Sequence, residues 1–168
     1  MKSEKGLRHR RTIGPEPVTE PLPQTIDPES FTPRLLALLS NALVWRESHQ
    51  LRHRFALGTN EWRVISALAL RPGSSATEVC DFLGMNKAIV SRSANILGER
   101  GLIALDDGPR GSRPMFLTRA GATMHDAMLP ISLEGQDIIL ADLTREEIVL
   151  LNNLLQRMLK RTQDLESA

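Results

Sequence analysis

Apolar residues Leu36, Leu39, Val44 and Leu51 punctuate a first long helix that is predicted from about Thr32–Pro33 to about Phe55. Thr32 is placed to cap this helix and Pro33 to take its first position, where a fixed φ suits and no amide donor is needed. Gly58 closes it. A second run, Trp62, Val64, Ile65 and Leu68, predicts a helix capped by Thr59 and stopped at Arg71-Pro72-Gly73. Ser75-Ala76-Thr77-Glu78 has the spacing of a capping box and opens a short third helix that ends at Gly84. Asn86 caps a fourth helix of about three turns, ending between Gly98 and Gly101. Two short helices separated by a tight glycine-containing turn are the skeleton of a helix-turn-helix.

The period then changes. Gly101–Leu105 and Pro114–Thr118 are short apolar runs flanking a loop of Asp, Gly, Pro, Arg and Ser, which reads as a hairpin with a flexible tip. A hairpin directly after the second helix of such a motif is a wing. A fifth helix begins near Arg119 and carries Met124, Met128, Ile131 and Ile138, with a kink expected at Pro130. Thr144-Arg145-Glu146-Glu147 is another capping box. It opens a last helix whose stripe of Ile148, Leu151, Leu155 and Met158 is widened by Leu150 and Leu154. A face that wide needs a cover, and the first helix and a partner chain are the candidates. The predicted fold is mainly α: a winged helix-turn-helix of about six helices plus a β-hairpin wing, with a helical dimerisation region.

Residues 1–28 read as a disordered arm, basic and broken by Pro15, Pro17, Pro21, Pro23 and Pro28. The folded part then spans 32–163, with the helix-turn-helix at about 75–98, the wing at 101–118 and the dimerisation helices at 32–55 and 119–163. Aromatics are 4% of the 168 residues and tyrosine is absent, so aliphatic side chains must fill the core. The net charge of +1 does not by itself argue for nucleic acid, so local clusters matter more. Lys2, Lys5, Arg8, Arg10 and Arg11 face one acid, Glu4, in the arm, and Arg110 and Arg113 lie on the wing. Each is either a solvated surface charge or a phosphate contact.

Cys80 is the single cysteine, which forbids an intramolecular disulfide and fits a reducing compartment. It shares an apolar helix face with Val79 and Leu83, which favours a small buried residue over a redox sensor. No Cys/His spacing suits zinc, so no metal or cofactor is expected. The N-terminus lacks the apolar stretch of a secretory signal, and no apolar run approaches the roughly 20 residues that cross a bilayer. A cytoplasmic protein without membrane attachment is the expectation. No phosphate-binding loop, dinucleotide glycine pattern, HExxH or nucleophile elbow is present, and the histidines at 9, 49, 53 and 125 form no set with a nucleophile. No catalytic residue is assigned and no enzyme is expected.

At about 100° per residue, Val90, Ala94 and Leu97 fall on one side of the fourth helix, with Ala88, Arg92 and Asn95 opposite and Ser91 and Ile89 flanking. The outer face suits a major groove. Arg92 can donate two parallel hydrogen bonds to guanine, Asn95 can read adenine or reach only phosphate, and Ser91 can bond either. Ala88 and Ile89 offer apolar contact to a thymine methyl, with core packing the competing reading for Ile89. Asn86, Lys87 and the helix N-terminus favour phosphate. Ser74, Ser75 and Thr77, at the start of the preceding helix, are placed for backbone contacts and also for capping.

The stretches Asn60–Ile65, Ser75–Val79, Asn86–Arg92, Leu97–Ile103 and Leu117–Gly121, followed by Leu143–Glu147, together resemble the MarR family of regulators. The resemblance covers roughly residues 32–163. It implies a homodimer in which the first, fifth and sixth helices of two chains interlock, and a pseudo-palindromic double-stranded operator. It further implies a repressor released by a small effector, often an aromatic acid or phenol. Members usually carry an acidic residue, then arginine two positions on, ahead of Leu-Thr. Counting back from Leu117-Thr118, those positions here hold Pro109 and Gly111. Arg110, beside them, or Arg113 is then the candidate for the minor groove, and Asp106 or Asp107 for the missing acid. Arg46, His49, His53 and Arg63 lie where the family binds its ligand. They can hold a carboxylate or phenolate, or stand as surface cations and partners of Glu47 and Glu61. Two functions remain open: ligand-responsive DNA binding, and a winged-helix adaptor that binds only protein.

Overall fold

A computed structural model describes residues 17–108 and 112–165. The helices are α1 (Thr32–Phe55), α2 (Thr59–Leu70), α3 (Ala76–Leu83), α4 (Lys87–Glu99), α5 (Arg119–Leu140) and α6 (Arg145–Lys160). Strands β1 (Ile103–Leu105) and β2 (Met115–Leu117) sit between α4 and α5, and a 3-10 turn, Thr162–Leu165, follows α6. The mainly α winged helix-turn-helix expected from the pattern is the observed architecture. The chain divides into two compact units within α1, one up to Ala37 and one from Leu38 onward.

In the first unit, the chain from 17 to 37 is exposed throughout. Asp27 organises the approach to α1: its carboxylate accepts from the Ser30 hydroxyl at 2.5 Å and the Glu29 amide at 3.1 Å. The Ser30 bond, then the Glu29 amide, hold the Asp27 carboxyl below its ordinary value. Phe31, not Thr32, supplies the first helical carbonyl, accepting from the Arg34 and Leu35 amides at 3.0 and 3.3 Å. Thr32 is already inside the helix, so its expected capping role falls away.

The second unit holds the core. Val64, Ile65 and Leu68 of α2 are buried with Val79 of α3 and with Val90 and Leu97 of α4. Ile103 and Met115 bring the hairpin onto this cluster, and Met128 and Ile131 bring α5. Leu51 adds the end of α1. Full burial of each such side chain stabilises the fold by roughly 1.5–3 kcal/mol. α2 is capped differently from expectation. Gly58 is its N-cap, and the Glu61 carboxylate accepts from the Gly58 amide at 2.8 Å. Thr59 stands one residue too far along to cap, and its buried hydroxyl has no partner among the described residues.

The hairpin pairs Ile103 with Leu117 and Leu105 with Met115, and is shorter than the sequence suggested. Its ladder extends outward through Asp106 N–H to Pro114 O and Gly108 N–H to Ser112 O. Ser74 bridges to Met115, tying the start of α3 to the wing. α5 continues without a break through Pro130. Thr118 caps it, accepting from the Gly121 amide at 3.0 Å while its hydroxyl donates to Gly101 O at 2.7 Å. Gly121 is required there, since a Cβ would lie 1.9 Å from the Leu102 carbonyl oxygen. α6 has no buried residue, and Val149, Leu150, Leu154, Met158 and Leu159 are all exposed.

Candidate nucleic-acid interface

Local chemistry fixes the two helices of the motif. The Ser75 hydroxyl accepts from the Glu78 amide, and the Glu78 carboxylate accepts in return from the Ser75 amide at 2.8 Å. The Ser75 amide first, and its hydroxyl second, hold the exposed Glu78 carboxyl below its ordinary value. Gly84 ends α3 at φ 60, a left-handed conformation that side chains disfavour. Asn86 then caps α4, its Oδ1 accepting from the Ala88 amide at 2.7 Å.

α4 divides into two faces. Val90, Ser93, Ala94 and Leu97 are buried, while Lys87, Ala88, Arg92 and Asn95 are exposed and Ser91 is half-buried. Ile89 is 41% exposed, so it belongs to the outer face and not to the core. The exposed face therefore carries one guanidinium, one carboxamide and one ammonium among apolar and small side chains, with the carboxylate of Glu99 at its C-terminal end. Thr77 is exposed at the start of α3. Ser74 and Ser75 are half-buried, and their hydroxyls are engaged with Arg71 O at 2.9 Å and Glu78 Oε2 at 2.8 Å. Arg113 is exposed on the returning side of the wing. Arg110, Pro109 and Gly111 lie outside the described residues, as do the arm's Lys2, Lys5, Arg8, Arg10 and Arg11.

The buried side of α4 holds a tie that the sequence reading missed. Ser93 donates to Glu61 Oε1 at 2.7 Å, while the other oxygen of that carboxylate holds the Gly58 amide. One carboxylate thus caps α2 and grips α4. Glu61 stands at the third position of α2, which is a capping signal. Ser93 gave no signal, being one polar residue on an apolar face.

The four candidate ligand residues separate. His49 and His53 line an open groove of about 640 Å³ along α1, together with Trp45 and Arg52. The Trp45 and His49 rings stack at 5.9 Å. Arg46 points elsewhere: it donates to Ile131 O at 3.0 Å and pairs with Glu134 at 2.6 Å. Glu47 accepts from the Ser132 hydroxyl. Arg63 is half-buried on α2 and does not line the groove. Among the described residues, no group of three or more His, Cys, Asp or Glu is placed to hold a metal. No described helix is long and apolar enough to cross a membrane.

A sequence profile of the MarR family matches residues 57–113, the stretch from the cap of α2 into the wing, ending short of β2. Among solved structures, a MarR/EmrR-family transcriptional regulator from Acinetobacter sp. ADP1 matches with a TM-score of 0.76 and 25% identity, over 83% of this chain and 99% of that one. PcaV from Streptomyces coelicolor, in complex with its natural ligand, matches at 0.70 and 20% identity, over 83% and 99%. The S. aureus MepR–DNA complex matches at 0.71 and 18% identity, over 80% and 98%. These two likenesses are of fold. No curated protein matches the chain by sequence. Helix-turn-helix, wing and profile match thus agree: residues 57–113 are similar to the MarR family, and the fold is that of MarR-family winged helix-turn-helix transcriptional regulators.

Proposed function

We propose that this protein is a homodimeric repressor that holds a pseudo-palindromic operator and is released by a small aromatic acid or phenol. The observation that carries the reading is the outward face of α4, where Ala88, Ile89, Arg92 and Asn95 stand free of the core. In this reading Arg92 takes a guanine edge, and Ser91 and Asn95 take neighbouring base or phosphate atoms. Lys87, the capped N-terminus of α4, and Ser74, Ser75 and Thr77 meet the backbone. The Oδ1 of Asn86 is committed to its cap, so its contribution to DNA is the amide NH2 alone. Arg113 and Arg110 serve the minor groove beside the wing.

The exposed apolar face of α6 supports a second copy as its cover, since water-facing leucines in such number are costly for a single chain. Two-fold symmetry then dictates a two-fold operator. For the effector, the α1 groove offers the Trp45–His49 stack for a ring and Arg52 with His53 for an anionic oxygen. Arg52 fills the place that the sequence reading gave to Arg46.

A gel-shift with the DNA upstream of the protein's own gene tests the reading. Specific binding that weakens steeply with added salt is expected. Arg92→Ala should cost about 1–3 kcal/mol of operator affinity with unchanged folding. Binding that ignores salt, or an Arg92→Ala variant with full operator affinity, would refute it. Release of the shifted band by aromatic acids, abolished in His49→Ala, tests the effector.

A further inference from the structure

The sequence reading made no use of Arg100, the C-cap of α4. Its guanidinium reaches out of the DNA-reading unit to the end of α1. One nitrogen, Nη1, donates to Phe55 O at 3.0 Å and to Ala56 O at 3.2 Å. Phe55 is the last residue of α1 and Ala56 the first beyond it, where a helix leaves its carbonyl oxygens without amide partners and its dipole is negative. The backbone N–H of Arg100 meanwhile bonds the Ile96 and Gly98 carbonyls, so one residue closes α4 with its main chain and reaches α1 with its side chain. The geometry is unusual at Ala56. It is the one non-glycine residue at positive φ among the described residues, at 52°. That conformation is disfavoured for an alanine, and it persists only where its surroundings hold it.

α1 has a second polar attachment further back. Arg46 is bonded to the Ile131 carbonyl and to Glu134, and Glu47 to Ser132, all on α5. The two attachments lie nine residues apart on one helix, about 14 Å at the α-helical rise. Leu51 and Leu57 anchor the end of α1 in the core, and the two polar attachments on either side of Leu51 set the direction in which the helix leaves that anchor. Arg92 lies eight residues from Arg100, about 12 Å along α4. A tilt of about 10° displaces a point that far away by about 2 Å, more than half the 3.4 Å step between bases.

We infer that Arg100 is a positioning residue. It fixes the angle between the DNA-reading helix and α1, and thereby sets which separation of operator half-sites the protein accepts. The inference rests on the reading of a dimer that holds two half-sites, and it adds to that reading the side chain that sets the gauge.

The test uses the full chain and its Arg100→Met and Arg100→Lys variants. Operator duplexes carry half-sites moved one and two base pairs closer or further apart. The unaltered protein should favour one separation by about tenfold or more. Arg100→Met should flatten that preference below about threefold, with affinity for an isolated half-site and the melting temperature little changed. Arg100→Lys, which keeps a donor and the charge, should restore most of the preference. A full preference in Arg100→Met would overturn the inference, because a merely stabilising residue leaves it in place. A second measurement needs neither DNA nor a dimer. Spin labels at Asn41→Cys and Asn95→Cys, in a Cys80→Ser chain diluted with unlabelled protein, report the α1–α4 distance by pulsed EPR. Arg100→Met should broaden a narrow distribution, and an unchanged width would overturn the joint itself. A protein that binds no operator yet shows this broadening would refute the proposed function and leave the joint standing.

Discussion

The inner face of α4 and the apolar stripe of α6 are written in the same way and end differently. Val90 and Leu97 are fully buried at 0% exposure, whereas Ile148, Leu151 and Leu155 are only half-buried and Leu150 and Leu154 stand 58% and 42% exposed. Both helices have strong N-caps, from Asn86 and from Thr144 with Glu147, so local signals do not separate them. What separates them is supply. α4 meets α2, α3 and the hairpin within its own chain, and α6 meets no comparable cover among the described residues. An amphipathic period says that a face will be buried, but not by which molecule.

The sharpest way to break this comparison is to charge the α6 face. The double variant Leu150→Glu, Leu154→Glu should fall from twice the chain mass to the single-chain mass in sedimentation velocity. Operator affinity should drop by about 100-fold or more, as the second half-site loses its effective concentration. A native protein already sedimenting as one chain would remove the lesson drawn from α6. Truncation within each face sharpens the contrast. Leu97→Ala should lower unfolding free energy by about 2–5 kcal/mol in urea, while Leu159→Ala in a dissociated background changes it little. Equal losses at the two sites would show that α6 is packed after all.

Ser93→Ala comes next, at about 1 kcal/mol, because it deprives Glu61 Oε1 of its donor. The same measurement reads it, and a neutral result would mean that water replaces the hydroxyl at once. The smallest effect belongs to the capping box of α3. Glu78 is held below its ordinary pKa, so its contribution is present above the unfolded value of about 4.3 and is lost as pH falls through the folded one. Stability of the native protein should therefore fall faster below that pH than stability of Ser75→Ala. Parallel curves would remove the linkage.

Legibility followed sequence distance. Ser75 with Glu78, Gly84, Asn86, and Thr144 with Glu147 were readable because each signal and its target lie within four residues. The two faces of α4 were readable from the period, including the outward Arg92. The miss at Thr59 arose between adjacent residues that can both open a helix, and Glu61 decided in favour of Gly58. Arg46, His49 and His53 stand at helical spacing on α1. Whether Arg46 would join the two histidines depended on Glu134, which lies on another helix. Glu61 with Ser93, and Arg100 with Phe55, were beyond reach for the same reason, since no local pattern marks a bond that only tertiary packing brings together.

The Thr118 junction has a mechanical consequence. One hydroxyl holds the turn after α4, caps α5 and sits next to the last residue of the hairpin, and the backbone of Gly121 is pressed against Leu102. Three segments thus share a weld without slack. A pull on the returning strand would pass directly into the 22-residue α5 instead of dissipating in a loop, so a load applied at the tip is felt along that shaft.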